Sequence, residues 1–145
     1  MLATNKYSMA YVNERRRAVL DHLSAFEAYA AASQPKDGVN EKSFRSALGA
    51  AEAAFCANLV QSLDHAFVHR TRGLEGKDGN PLNEVRMLCA ALVTKEGVLV
   101  ADKTIKYDPG KSVLGIKVGD RVLLACVATR CLAEAFLDGI EAKFT

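Results

Sequence analysis

The feature that most constrains this chain is a series of apolar residues, Phe44, Leu48, Ala51, Phe55, Leu59, Leu63 and Phe67, that recurs every three or four positions. A period of 3.6 residues places all of them on one stripe of a helix, for more than six turns. A stripe of that length has to be covered by a neighbour. Just upstream, Val12, Val19, Leu23, Phe26 and Ala30 recur at spacings of three, four and seven, which predicts a first long helix from about Ser8 to Ser33. Gln34-Pro35-Lys36-Asp37-Gly38 ends it, because Pro35 disfavours the α conformation in the residue before it and Asp-Gly turns readily. The second helix is expected to start with Asn40 as N-cap and with Glu41 complementing the helix dipole, and to run until Gly73 offers a stop. Two such helices joined by a short loop pack antiparallel.

Beyond them, Leu74-Glu75-Gly76-Lys77-Asp78-Gly79-Asn80-Pro81 reads as a loop in which one or both glycines need a positive φ. Asn80 then Pro81 fits N-cap followed by N1, since proline's missing N–H is not needed there. Leu82, Val85, Leu88, Cys89 and Leu92 mark a short third helix. After Gly97 the period changes. Val98 to Ala101, Thr104 to Tyr107, Ser112 to Ile116 and Arg121 to Leu124 are short and β-prone, with a type II turn expected at Asp108-Pro109-Gly110-Lys111 and a II′ hairpin at Val118-Gly119-Asp120-Arg121 pairing the last two. From about Val127, Leu132, Phe136, Ile140 and Phe144 announce a closing helix. The expected fold class is α+β, mainly α: a pair of long helices, a short third helix, a small antiparallel β-sheet of three to four strands and a C-terminal helix. The expected organisation is one domain over residues 1–145, with a helical hairpin about 8–72 and an α+β remainder about 80–144.

Composition excludes more than it assigns. The 145 residues are 50% apolar and 25% charged, which is ordinary globular composition, and the formal charge of +2 creates no field that demands an anionic partner. No signal-peptide pattern opens the sequence, and no window approaches the roughly 18 apolar residues of a membrane span, so no membrane partner and a cytoplasmic location are expected. Cys56, Cys89, Cys126 and Cys131 form no Cys-x-x-Cys pair and lie in apolar, mostly helical contexts, which predicts reduced, buried thiols.

Ionisable residues crowd into one segment, His65 to Arg86. Its loop ends at a helix N-terminus, whose free N–H groups and positive dipole end favour an anion. Arg70, Arg72, Lys77, Asn80 and Arg86 are therefore the candidate ligand-binding residues for a phosphate or carboxylate, with His69 and Glu84 as the candidates to move protons. The opposing reading is architectural, with Arg72 paired to Glu75 and Arg86 to Glu84 or Asp78. His65 and His69, four apart on the second helix, can face one way as two metal ligands, but a third and fourth would have to come from Asp64, Glu84 or His22 with no spacing to fix them.

Gly76-Lys77-Asp78-Gly79 lacks both the Walker and the dinucleotide spacing, no Gly-x-Ser-x-Gly elbow is present, and no cofactor is implied. Arg15, Arg16 and Arg17 point about 100° apart on a helix, and the phenylalanines lie at core spacing, so nucleic acid is disfavoured as a partner. The leading expectation is a small cytosolic binding or interaction module that forms a homo-oligomer through its long helices. An enzyme or small-anion binder using the 65–86 segment is the alternative, and weak nucleic-acid binding through Arg15 to Arg17 with Arg70 and Arg72 is a third.

Overall fold

The computed structural model describes residues 3–145. Among them lie five helices and no β-strand: α1 Met9–Ala32, α2 Glu41–Ala66, α3 Arg72–Glu75, α4 Pro81–Thr94 and α5 Cys126–Phe144. The α+β expectation is corrected to an all-helical fold. Both long helices start close to where the sequence places them, each on a capping side chain. Ser8 Oγ accepts from Tyr11 N–H at 3.2 Å, and Asn40 Oδ1 accepts from the N–H groups of Lys42 and Ser43. At 24 and 26 residues, α1 and α2 are roughly 36 and 39 Å long. They run antiparallel: the Tyr11 hydroxyl donates to the Ala66 carbonyl at 2.8 Å at one end, and Phe26 stacks on Phe55 at 4.9 Å towards the other.

α2 stops at Ala66, earlier than Gly73 would suggest. The reason is the N-terminal segment, which claims the backbone groups that a continuing helix would use. Thr4 N–H donates to the His69 carbonyl, and Thr71 N–H donates to the Thr4 carbonyl. Phe67 caps α2 from inside the core, with Tyr7 edge-on at 4.9 Å and Phe136 at 5.8 Å.

The centre of the fold is α4, eight of whose fourteen residues are buried. A helix covered nearly all round must have neighbours on several sides, and α4 packs against α2 and α5 while α5 also packs against α1, α2 and α3. Leu132, Phe136, Ile140 and Phe144 form the inward stripe of α5, in the spacing the sequence shows. Truncating the fully buried Phe136 would cost about 3–5 kcal/mol.

No sheet forms in residues 95–125, where pairing of the backbone is confined to one short stretch. Leu99 N–H donates to the Asp120 carbonyl and Val122 N–H to the Gly97 carbonyl, which leaves one isolated antiparallel bridge between Val98 and Arg121. The expected hairpin between 112–116 and 121–124 is absent among the described residues, since Val113 and Leu114 give their N–H groups to the Glu84 carboxylate and Ile116 gives its carbonyl to the Tyr107 hydroxyl. Leu99, Ile105, Val122 and Leu124 are buried singly in the common core. β-Propensity reflects packing on a pleated surface, and here the helices provide the surface instead. No helix among the described residues is long and apolar enough to cross a membrane.

The cysteines divide unequally. Cys56, Cys89 and Cys126 are buried, with the Cys56 and Cys126 sulfurs 3.7 Å apart, but Cys131 is exposed, which corrects the expectation that all four lie inside. Burial pushes the thiols of Cys89 and Cys126 up to about 12, so they stay protonated and unreactive at neutral pH. Titration of the native protein with an aromatic disulfide reagent should modify one thiol quickly and four only after denaturation. Cys131→Ser should remove the fast phase.

Candidate functional site

Glu75, the last residue of α3, is completely enclosed, and three arginines reach it. Arg86, from the second turn of α4, grips it with both arms of its fork: Nε donates to Oε1 at 2.9 Å and Nη2 to Oε2 at 2.5 Å. Arg72 Nη1 lies 3.4 Å from Oε1, Arg70 Nε lies 3.3 Å from Oε2, and Asn83 Nδ2 donates to Oε1 at 3.1 Å. Arg70 is itself buried at 3% exposure. Its Nη2 donates to Asp64 at 2.8 Å and its Nη1 to the Phe67 carbonyl at 3.0 Å, its Nε faces Glu75 without a hydrogen bond, and it lies over the Phe136 ring. Burial by itself would raise the Glu75 pKa, but the hydrogen bonds from Arg86 and Asn83 and the charges of Arg70 and Arg86 bring it below the usual carboxylate value.

The loop that follows is fastened with equal care. The Glu75 carbonyl accepts from Asn80 Nδ2 at 2.8 Å and from Lys143 Nζ at 2.9 Å, which ties the loop to the end of α5. Asn80 also caps α4 through Leu82 and Asn83 N–H. Gly76 and Gly79 both adopt positive φ, and a Cβ on Gly79 would stand 2.4 Å from the Lys106 carbonyl oxygen. Only glycine allows that approach.

The predicted ligand-binding residues are thus brought together, but around a carboxylate of the chain itself. Arg70, Arg72 and Arg86 converge on Glu75. Lys77 projects into solvent, and its carbonyl accepts from Lys106 N–H. Arg72 was expected to pair with Glu75 and does; Arg86 pairs with Glu75 as well, and not with Glu84 or Asp78. Glu84, named as a proton carrier, is 1% exposed, and its two oxygens accept from Val113 and Leu114 N–H at 2.8 and 3.0 Å. Successive N–H groups in a turn make an anion-holding concavity, and Glu84 fills it to pin the 95–125 segment onto α4. His65 and His69 stand exposed, and no group of three or more His, Cys, Asp or Glu among the described residues is arranged to hold a metal. Arg15 pairs with Glu14, and Arg16 with Asp138 and Glu141 of α5, so those arginines and the buried Arg70 do not share a surface.

A different concavity lies between α1 and α2, with a volume of about 290 Å3. From α1 it takes Arg15, Ala18, Val19 and His22, an i, i+3, i+4, i+7 set on one face. From α2 it takes Phe55, Leu59, Leu63 and Ala66, rimmed by Asn58 and Ser62. The short side chains of Ala18 and Val19 leave space where two larger residues would close it.

Two consequences are measurable. Glu75→Gln should lose on the order of 3 kcal/mol in urea denaturation near neutral pH, because three arginines then face a neutral amide. Its charged form is favoured by folding, so its contribution is complete above the ordinary carboxyl value of 4.5 and is lost as pH falls below it towards the lower folded value. The gap in urea midpoint between wild type and Glu75→Gln should therefore shrink between about pH 7 and about pH 3. Glu84→Ala should release the 108–116 backbone, read as faster amide hydrogen exchange there with α1 unchanged.

No family model, curated protein or solved structure matches the chain.

Proposed function

We propose that the protein is a binding or interaction module that associates with a second copy of itself through the free end of the α1–α2 hairpin. The observation that carries this reading is the absence of any buried residue from Ser24 to Ala32 in α1 and from Glu41 to Phe55 in α2. Phe26, Phe44, Leu48 and Phe55 are only half covered. On α2, Ala47, Ala50, Ala51 and Ala54 add an exposed apolar stripe at i, i+3, i+4, i+7 spacing, whose short side chains allow another helix to come close. Tyr29 is 65% exposed, and Leu123 and Val127, each 72% exposed, flank the point where Cys126 N–H donates to Glu52 of α2.

A self-complementary face of this kind suits a two-fold pair, in which each copy covers the other's stripe. The polar segment around Glu75 supports the same reading by a different route: its arginines are committed to holding α3, α4 and the end of α2 together, which makes that half of the molecule a rigid base for the hairpin. Size-exclusion chromatography with light scattering should give a mass near twice 15.6 kDa at high concentration, falling towards the single-chain mass on dilution. Ala50→Arg should weaken the association at least about tenfold with the circular dichroism unchanged. A strict monomer at every concentration would rule the reading out.

A further inference from the structure

Two of the three enclosed thiols are in contact. Cys56 of α2 and Cys126, the first residue of α5, stand 70 positions apart in sequence, yet their sulfurs lie 3.7 Å apart and neither residue is more than 2% exposed. The other cysteines are placed differently: the Cys89 S–H is directed at the Val60 carbonyl at 3.8 Å, and Cys131 is exposed. More than apolar packing holds the Cys56–Cys126 contact. Glu52, one turn before Cys56 on the same face of α2, accepts from the Cys126 N–H at 2.9 Å. Ala125 brings no capping side chain to α5, so Glu52 fills that role from another helix. Cys126 is thus held to α2 at two points, its backbone by a carboxylate and its side chain by a thiol. Cys56 is also the first buried residue along α2 from its N-terminal end, so the pair marks the edge of the core, where the uncovered half of the hairpin begins.

We propose that Cys56 and Cys126 are a reversible redox pair, which a small organic disulfide such as oxidised glutathione converts into an internal disulfide joining α2 to α5. Burial keeps the Cys126 thiol protonated in the closed fold, so the reaction starts when the edge of the core opens, a local event that leaves α4 and its neighbours in place. The thiolate of one cysteine then attacks the glutathione disulfide, forming a mixed disulfide and expelling one glutathione thiolate. The thiolate of the other attacks the protein sulfur of that mixed disulfide, forms the Cys56–Cys126 bond and expels the second glutathione thiolate. Two protons pass from the cysteines to the two departing thiolates, and two electrons pass from the pair to glutathione disulfide. Reduced glutathione runs the same steps backwards. A disulfide needs its sulfurs about 2 Å apart. Touching sulfurs are close to that, whereas the ends of a long unfolded loop rarely meet. The native fold therefore favours the bond over the unfolded chain, and by linkage the bond favours the native fold. The pair lies within one chain and does not depend on self-association.

The test is to bring the full chain to equilibrium with mixtures of oxidised and reduced glutathione, without air, in buffer and in concentrated urea. Acid quenching, alkylation and peptide mass mapping then identify the linked residues. In buffer, oxidation should yield a chain lighter by two hydrogen atoms, with Cys56 joined to Cys126. The equilibrium constant for that bond should be at least about tenfold larger in buffer than in urea. Amides at 52–60 and 126–132 should exchange more slowly in the oxidised chain than in the reduced one. Cys131→Ser should leave the bond and its constant unchanged. Cys126→Ala should abolish the internal disulfide, and Cys56→Ala should do the same and serves if the first variant does not fold. An equilibrium constant no larger in buffer than in urea overturns the proposal, since the contact is then mere packing of two small side chains. So does a link through Cys89 or Cys131, or the absence of an internal disulfide at every glutathione ratio.

Discussion

A carboxylate sealed from water and met by three guanidinium groups is the constraint around which this fold is arranged. An isolated charge at the Glu75 position would be prohibitive in an apolar interior, so the arginines are conditions of its burial more than additions to it. Because they come from the turn after α2, from α3 and from α4, the cluster sets three segments relative to one another. Asn83 and Lys143 extend the same anchorage, one through the Glu75 side chain and the other through its carbonyl. Apolar packing supplies the larger share of the folding free energy, but it is indifferent to direction, whereas a bidentate ion pair fixes an angle.

A second enclosed carboxylate works on a different principle. Glu84 takes backbone N–H groups in place of basic side chains, and in doing so gives order to a long connection that has no strands of its own. Long irregular connections in compact proteins need such internal fastening, since their backbone groups otherwise require water. The two glutamates, nine positions apart, thus divide the labour: one organises helices and the other a loop.

Much of this was legible beforehand, and where it was not the reason is physical. The caps at Asn40 and Asn80 are legible, because capping is a local matter between a side chain and the next few N–H groups, whereas the start of α1 near Ser8 follows from apolar spacing alone. The stripe of α5 followed from spacing alone. The end of α2 was misplaced because Thr4, more than sixty residues away in sequence, decides it. The sheet was expected from β-branched runs between turn residues, yet the choice between a ladder and a pinned loop was made by Glu84 and Tyr107, which local propensity does not register. The crowd of ionisable residues between His65 and Arg86 was found, but its centre was not: composition shows arginines near carboxylates and cannot say which carboxylate is inside. The groove beside Arg15 left no mark, since it exists only as a mismatch between two helices in register.

The uncovered length of the hairpin bears on how the molecule moves through water. Residues 41–55 of α2 alone correspond to roughly 22 Å of helix with no buried side chain. A body with such a protrusion experiences more drag than a sphere of equal mass and tumbles unequally about its axes. Its sedimentation is correspondingly slow for its weight, and the relaxation of amides along the two rods depends on their angle to the long axis.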